Sequence, residues 1–99
     1  MKYEVEVRKL AERDVAEAID WYARRLPELG ASFFEEFDAV LVRLSEAPLI
    51  YQAVYRESRR VQMHRFPYLV WFKVKGNVVT VRACLRGSIK PGRVRKRVR

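Results

Sequence analysis

Ninety-nine residues fit one domain, and 49% hydrophobic with 12% aromatic content excludes a disordered chain. The single cysteine, Cys84, excludes an internal disulfide and suits a reducing compartment, and no Cys/His cluster or cofactor motif points to a metal or cofactor. The formal charge is +9, divided unevenly: residues 1–57 carry eight basic and twelve acidic side chains, and residues 58–99 carry thirteen basic and none acidic.

Tyr3 to Arg8 alternates, with Tyr3, Val5 and Val7 on one face, and predicts a half-buried strand. The period then changes to 3.6. Ala11, Val15, Ala18, Ile19, Tyr22 and Leu26 form one stripe of an amphipathic helix that Pro27 ends. A second helix is expected after the Pro27-Glu28-Leu29-Gly30 break, with Phe33, Phe37, Val40, Leu41 and Leu44 as its apolar stripe and Pro48 as its stop. Helices so closely joined form an antiparallel hairpin.

From residue 52 the period returns to 2. Gln52–Tyr55 is a short strand, and Arg59–Arg65 is another with Val61 and Met63 inward, ended by Phe66-Pro67. Tyr68–Lys75 places Tyr68, Val70, Phe72 and Val74 on one face and Leu69, Trp71 and Lys73 on the other. Gly76-Asn77 makes a tight hairpin turn into Val78–Arg86, where alternation puts Val79, Val81, Ala83 and Leu85 inward and Thr80, Arg82 and Cys84 outward. Residues 92–99 read as a mobile basic extension of a domain spanning 1–91. The expected fold is α+β: an N-terminal strand, a two-helix antiparallel hairpin, then a three- to four-stranded antiparallel meander carrying both helices on one face. Pairing of the first strand parallel to the last is compatible with this order. The N-terminus has no apolar signal region and no run approaches the roughly 20 residues of a membrane span, so a cytoplasmic protein is expected.

The pieces Ala11…Asp14-Val15-x-x-Ala18-x-x-Trp21-Tyr22, Phe33-Phe34-x-x-Phe37, Pro48, Arg59-Arg60, Arg65-Phe66-Pro67-Tyr68 and Val79-x-Val81-x-Ala83-Cys84-Leu85, in this order, resemble the RelE/ParE superfamily of type II toxin–antitoxin toxins. The resemblance covers about residues 4–91. It implies the fold above, a cognate acidic antitoxin that neutralises the toxin in a hetero-oligomer, and one of two targets. ParE-like members are described as poisons of DNA gyrase; RelE-like members cleave mRNA on the ribosome without metal. The Arg-Phe-Pro-Tyr segment and the Trp-Tyr helix are similar to the ParE side. Where the ParE-like pattern has a His and an acidic residue after the last strand, this chain has Arg86 and Lys90. Where RelE-like nucleases have a basic residue in the central strand, it has Leu69-Val70-Trp71.

Metal-free RNA cleavage needs a base, an acid and cations on the phosphorane. The cations are present: Arg60, Arg65, Arg82 and Arg86 are candidates to face a common concavity. His64 is the only imidazole, either a catalytic base with Arg65, Arg82 and Arg86 or a plain exposed strand residue. Residues expected to touch a target or antitoxin are Arg59, Arg60, Arg65, Trp71, Arg82, Arg86 and Lys90. Bland readings stand beside these: Arg59-Arg60 as charge guarding an edge strand, Trp71 as packing under a helix or the tail, and Cys84 as a small buried hydrophobe. The basic tail attracts phosphate, docks an acidic antitoxin or is simply solvated. The resemblance implies ParE-like growth inhibition through gyrase, and the scarcity of proton-transfer groups favours a non-enzymatic poison, with a RelE-type endonuclease or a plain basic nucleic-acid binder as alternatives.

Overall fold

The computed structural model describes residues 2–99. Strand β1 (Glu4–Val7) leads into helix α1 (Lys9–Arg25), and helix α2 (Pro27–Glu46) follows after a single residue. A 3-10 turn over Pro48–Ile50 precedes β2 (Ala53–Tyr55), β3 (Ser58–Gln62), β4 (Tyr68–Lys75) and β5 (Val78–Arg86), and the chain closes with helix α3 (Pro91–Val98). The five strands form one sheet in the order β1-β5-β4-β3-β2. β1 lies parallel to β5, from Glu4 beside Val78 to Val7 beside Val81, and the other neighbours are antiparallel.

The helical hairpin is tighter than the Pro-Gly pattern suggests. Pro27 is not a break: it occupies the start of α2, where its missing N–H costs nothing and its fixed φ favours the helix. Leu26, extended at φ −158°, is the whole link, and its N–H closes α1 on the Tyr22 carbonyl. Gly30 therefore lies inside α2 and lets the two helices approach closely. A Cβ there would sit 2.8 Å from the Ala23 Cβ and 3.1 Å from the Ile19 carbonyl. At the other hairpin, Gly76 has φ 61° in the first central position, as a type II′ turn requires.

Ala11, Val15 and Ala18 of α1 and Phe33, Phe37, Val40 and Leu44 of α2 pack on Val61, Tyr68, Val70, Phe72, Val79 and Val81 of the sheet. This is the main core, and both helices lie on one face of the sheet as their stripes predict. Tyr22, Phe33, Phe66 and Tyr68 meet edge-on or stacked, with centroids 4.7–6.2 Å apart, and weld the hairpin to the start of β4.

Two expectations fail on the opposite face. Alternation in β5 predicts Ala83 and Leu85 inward and Cys84 outward, but a β-bulge intervenes. Phe72 pairs with Val81 and Trp71 with Ala83, so Arg82 is an extra residue and every later side chain changes face. Cys84 thereby joins the main core, while Ala83 and Leu85 turn to the other side. That other side is not solvated, because residues 91–98 are helical rather than a mobile extension. Val98 is fully buried against Trp71 and Ala83, with Val94, Leu69, Leu85 and Tyr55 around them. Pro91 starts α3, and Val94 and Val98, one turn apart, give this otherwise cationic helix its apolar stripe. Trp71 thus packs under the tail.

We expect Gly30→Ala to destabilise the fold. Overpacking costs about 1–3 kcal/mol, and the better helix propensity of alanine returns only about 1. A urea melt should show a lower midpoint at unchanged slope.

Candidate functional site

Helix α3 has eight residues, too few to persist alone, so its position depends on what holds its C-terminal end. Three contacts do so. Arg97 Nη1 and Nη2 donate to Asp14 Oδ1 and Oδ2 of α1 at 3.1 and 2.7 Å, a bidentate pair. Ser58 Oγ donates to the Val98 carbonyl at 3.0 Å, fully buried. Arg82 Nη2 donates to the Arg99 carbonyl at 2.9 Å. Asp14 Oδ2 also accepts the Cys84 backbone N–H at 3.0 Å. β1 accompanies β5 only as far as Val81, so this N–H lies on strand edge that β1 leaves uncovered. One carboxylate of α1 thus joins both layers around the open edge of β5.

Between α3 and the sheet lies a cavity of about 280 Å³. Its walls are Val54 and Tyr55 of β2, Leu69 and Trp71 of β4, and Ile89 and Val94 from the last turn and α3. Three guanidiniums stand around these apolar walls: Arg60 of β3, Arg86 at the end of β5 and Arg95 of α3. Arg60 lies 5.5 Å from the Trp71 ring centroid, and Arg95 and Arg56 lie 5.8 and 5.2 Å from that of Tyr55. The Trp71 Nε1–H is buried and has no protein acceptor. Arg86 also reaches the other way, 5.3 Å from the Trp21 ring and 5.7 Å from that of Tyr68. Arg25 covers Trp21 at 3.2 Å.

The expectation of one concavity holding Arg60, Arg65, Arg82 and Arg86 is therefore half right. Arg60 and Arg86 share the cavity. Arg65 is turned toward α2, where Glu36 accepts its backbone N–H at 3.0 Å and approaches its Nε at 3.6 Å. Arg82, displaced by the bulge, holds the end of α3. Arg59 donates to the Tyr51 carbonyl and pins the loop before β2, a structural role. Lys90 is exposed at the N-cap of α3. His64 contacts Arg43 Nη1 of α2 at 3.0 Å and lines no part of the cavity. Asp14, Arg97, Arg95 and Tyr55 escape a reading of candidate residues. The spacing of Val94 and Val98 and the Pro91 start were the available signals that residues 91–98 are a packed helix.

Proton-transfer groups are scarce around this cavity. The Tyr68 phenol is pushed up chiefly by burial, against the pull of the neighbouring Arg86, which makes it a poorer base and leaves it among the aromatic rings of the core. Burial, with the Asp14 charge adding, pushes the Cys84 thiol up to about 12. It is a packed hydrophobe and not a nucleophile. Among the described residues no group of three or more His, Cys, Asp or Glu is placed to hold a metal ion, and no helix is long and apolar enough to cross a membrane.

The family model described as the ParE toxin of type II toxin–antitoxin systems, parDE, matches residues 5–91. This chain belongs to the ParE toxin family. Among solved structures, one from the chromosomal ParDE toxin–antitoxin system of P. aeruginosa superposes with a TM-score of 0.76 at 17% identity, covering 86% of this chain and 96% of that one. At that identity the likeness shows a common ParE fold. No curated protein matches the chain significantly.

Two outcomes test the anchoring of this ParE chain. In a Trp21→Phe background, Asp14→Ala should red-shift the Trp71 emission and cost about 1–3 kcal/mol, because Arg97 and the Cys84 N–H both lose their partner. The exposed Asp20–Arg24 pair is the control, and Asp20→Ala should move neither reading appreciably. For Cys84 the raised thiol pKa has a definite sign. Its neutral form stabilises the fold fully below the ordinary 9.0 and that contribution is lost as pH rises toward about 12. Iodoacetamide at pH 8 should therefore modify Cys84 only as fast as the chain opens, and urea should accelerate the reaction steeply.

Proposed function

We propose that this ParE-family chain is a non-enzymatic growth inhibitor that acts by binding DNA gyrase, and that an acidic antitoxin neutralises it in a hetero-oligomer. The observation that carries the reading is the composition of the cavity. Three cations, Arg60, Arg86 and Arg95, surround apolar walls, and none of the residues lining it is a carboxylate or an imidazole. Such a site binds acidic groups strongly and has little means to move a proton. The single imidazole lies instead against Arg43 of α2 and lines no part of the cavity, so it is poorly placed to serve a cleavage reaction there. Family membership supports the toxin role, and the charge of the second half of the chain supports an acidic partner.

The test is a supercoiling assay with purified gyrase and relaxed plasmid. Inhibition should appear with the wild-type chain, weaken at least tenfold in Arg86→Ala, and persist in His64→Ala. Expression should arrest growth, and co-expression of the cognate antitoxin should restore it. The opposite result is unimpaired gyrase together with codon-linked mRNA cuts on purified ribosomes. That would replace this reading with a RelE-type endonuclease.

A further inference from the structure

We infer that the cavity between α3 and the sheet is a docking pocket for an acidic peptide segment, one that inserts a single aliphatic side chain between flanking carboxylates. This deepens the proposed function by naming the chemistry of the antitoxin segment and the place it occupies, and it rests on the reading that such an antitoxin exists.

Three observations select this occupant. The first is volume. At about 280 Å³ the cavity falls at or below the roughly 300–1,000 Å³ of sites that enclose a small molecule, a size suited to a side-chain anchor. The second is lining. Val54, Leu69, Ile89 and Val94 present aliphatic surface, which a phosphodiester cannot use and an aliphatic side chain can. The third is charge. Arg60, Arg86 and Arg95 come from three different elements, so carboxylates on both sides of an inserted residue would find a guanidinium.

Single-stranded nucleic acid fits the same walls less well. Its binding relies on open aromatic faces for base stacking. Here Trp71 is only 4% exposed, and guanidiniums lie by the rings of Trp71 and Tyr55. The cations attract phosphate, but the aromatic platform is already occupied from within the chain.

The experiment measures fluorescence anisotropy with the full chain and two labelled probes: a twelve-residue peptide of alternating glutamate and leucine, and an oligothymidylate of equal charge. The double variant Arg60→Glu/Arg95→Glu should weaken peptide binding at least tenfold. The control Arg24→Glu/Lys75→Glu changes net charge equally at exposed positions away from the pocket and should weaken it no more than twofold. Arg60→Gln/Arg95→Gln, checked for folding by circular dichroism, should give an intermediate loss. Equal weakening by the pocket and control pairs, or no peptide binding by the wild-type chain, would overturn the inference. So would a pocket pair that abolishes oligothymidylate binding and spares the peptide. The gyrase assay on the same preparations separates this from the proposed target. Intact inhibition without peptide binding removes the pocket alone, and peptide binding without inhibition removes gyrase alone.

Discussion

The carboxylate of Asp14 holds the architecture together at its weakest point. A parallel β1 that stops at Val7 leaves the far end of β5 without a neighbour, and a bare strand edge has unsatisfied backbone groups. Asp14 accepts the Cys84 N–H at that edge with one oxygen and takes the Arg97 guanidinium bidentately with both. Helix α1 on one face and α3 on the other are thereby fastened to the same residue. The pair is mostly shielded, with side-chain exposures of 12% for Asp14 and 28% for Arg97, so salt screens it less than a surface pair. Breaking it would leave a charge stranded beside a backbone donor, which is why its removal costs more than its formation contributes.

The bulge at Arg82 makes this arrangement possible. Without the extra residue, Cys84 would face α3, and Ala83 and Leu85 would crowd the helical core. With it, the small Ala83 lies under Val98 and α3 can approach the sheet, while the small Cys84 fits beneath α1. The displaced Arg82 side chain is then free to hold the Arg99 carbonyl at the negative end of the α3 dipole. A local irregularity in one strand thus converts a sheet with one covered face into a sheet covered on both.

The same irregularity marks where the sequence stops being legible. The stripes of α1 and α2, the faces of β4 and the Gly76-Asn77 turn are local patterns whose period survives in the fold. The parallel partner of β1 agreed with the order of elements. A bulge leaves no mark on alternation except afterwards, so Ala83, Cys84 and Leu85 could not be assigned from their spacing. Likewise, five cations among the last seven residues read as a solvated tail because two valines are a faint stripe against that charge. They stabilise a helix because Trp71 of β4 and, after the bulge, Ala83 of β5 lie beneath them. Arg60, Arg86 and Trp71 were recognisable as candidates from residue type and strand position. Arg65 and Arg82 were equally plausible by those criteria, and only their tertiary partners, Glu36 and the end of α3, distinguish them.

The two departures from the ParE-like pattern now carry different weight. Arg86 reaches from Trp21 and Tyr68 to the cavity, a span suited to a long, planar cation. Lys90 stands where an acidic residue would cap the helix that Pro91 starts, and its side chain makes no capping bond. A cation there also opposes the helix dipole. The N-terminal turn of α3 thus lacks about 1 kcal/mol that a capping Asp would supply. The C-terminal turn is fixed by Asp14, Ser58 and Arg82. Of the α3 residues that line the cavity, Pro91 belongs to the uncapped first turn, whereas Val94 packs by Trp71 and Arg95 lies in the last turn. The tertiary hydrogen bonds that hold α3 are therefore concentrated at its C-terminal end. The clasp at Asp14 thus keeps the helix on the sheet although its first turn lacks a cap, and the cavity lies beside that first turn.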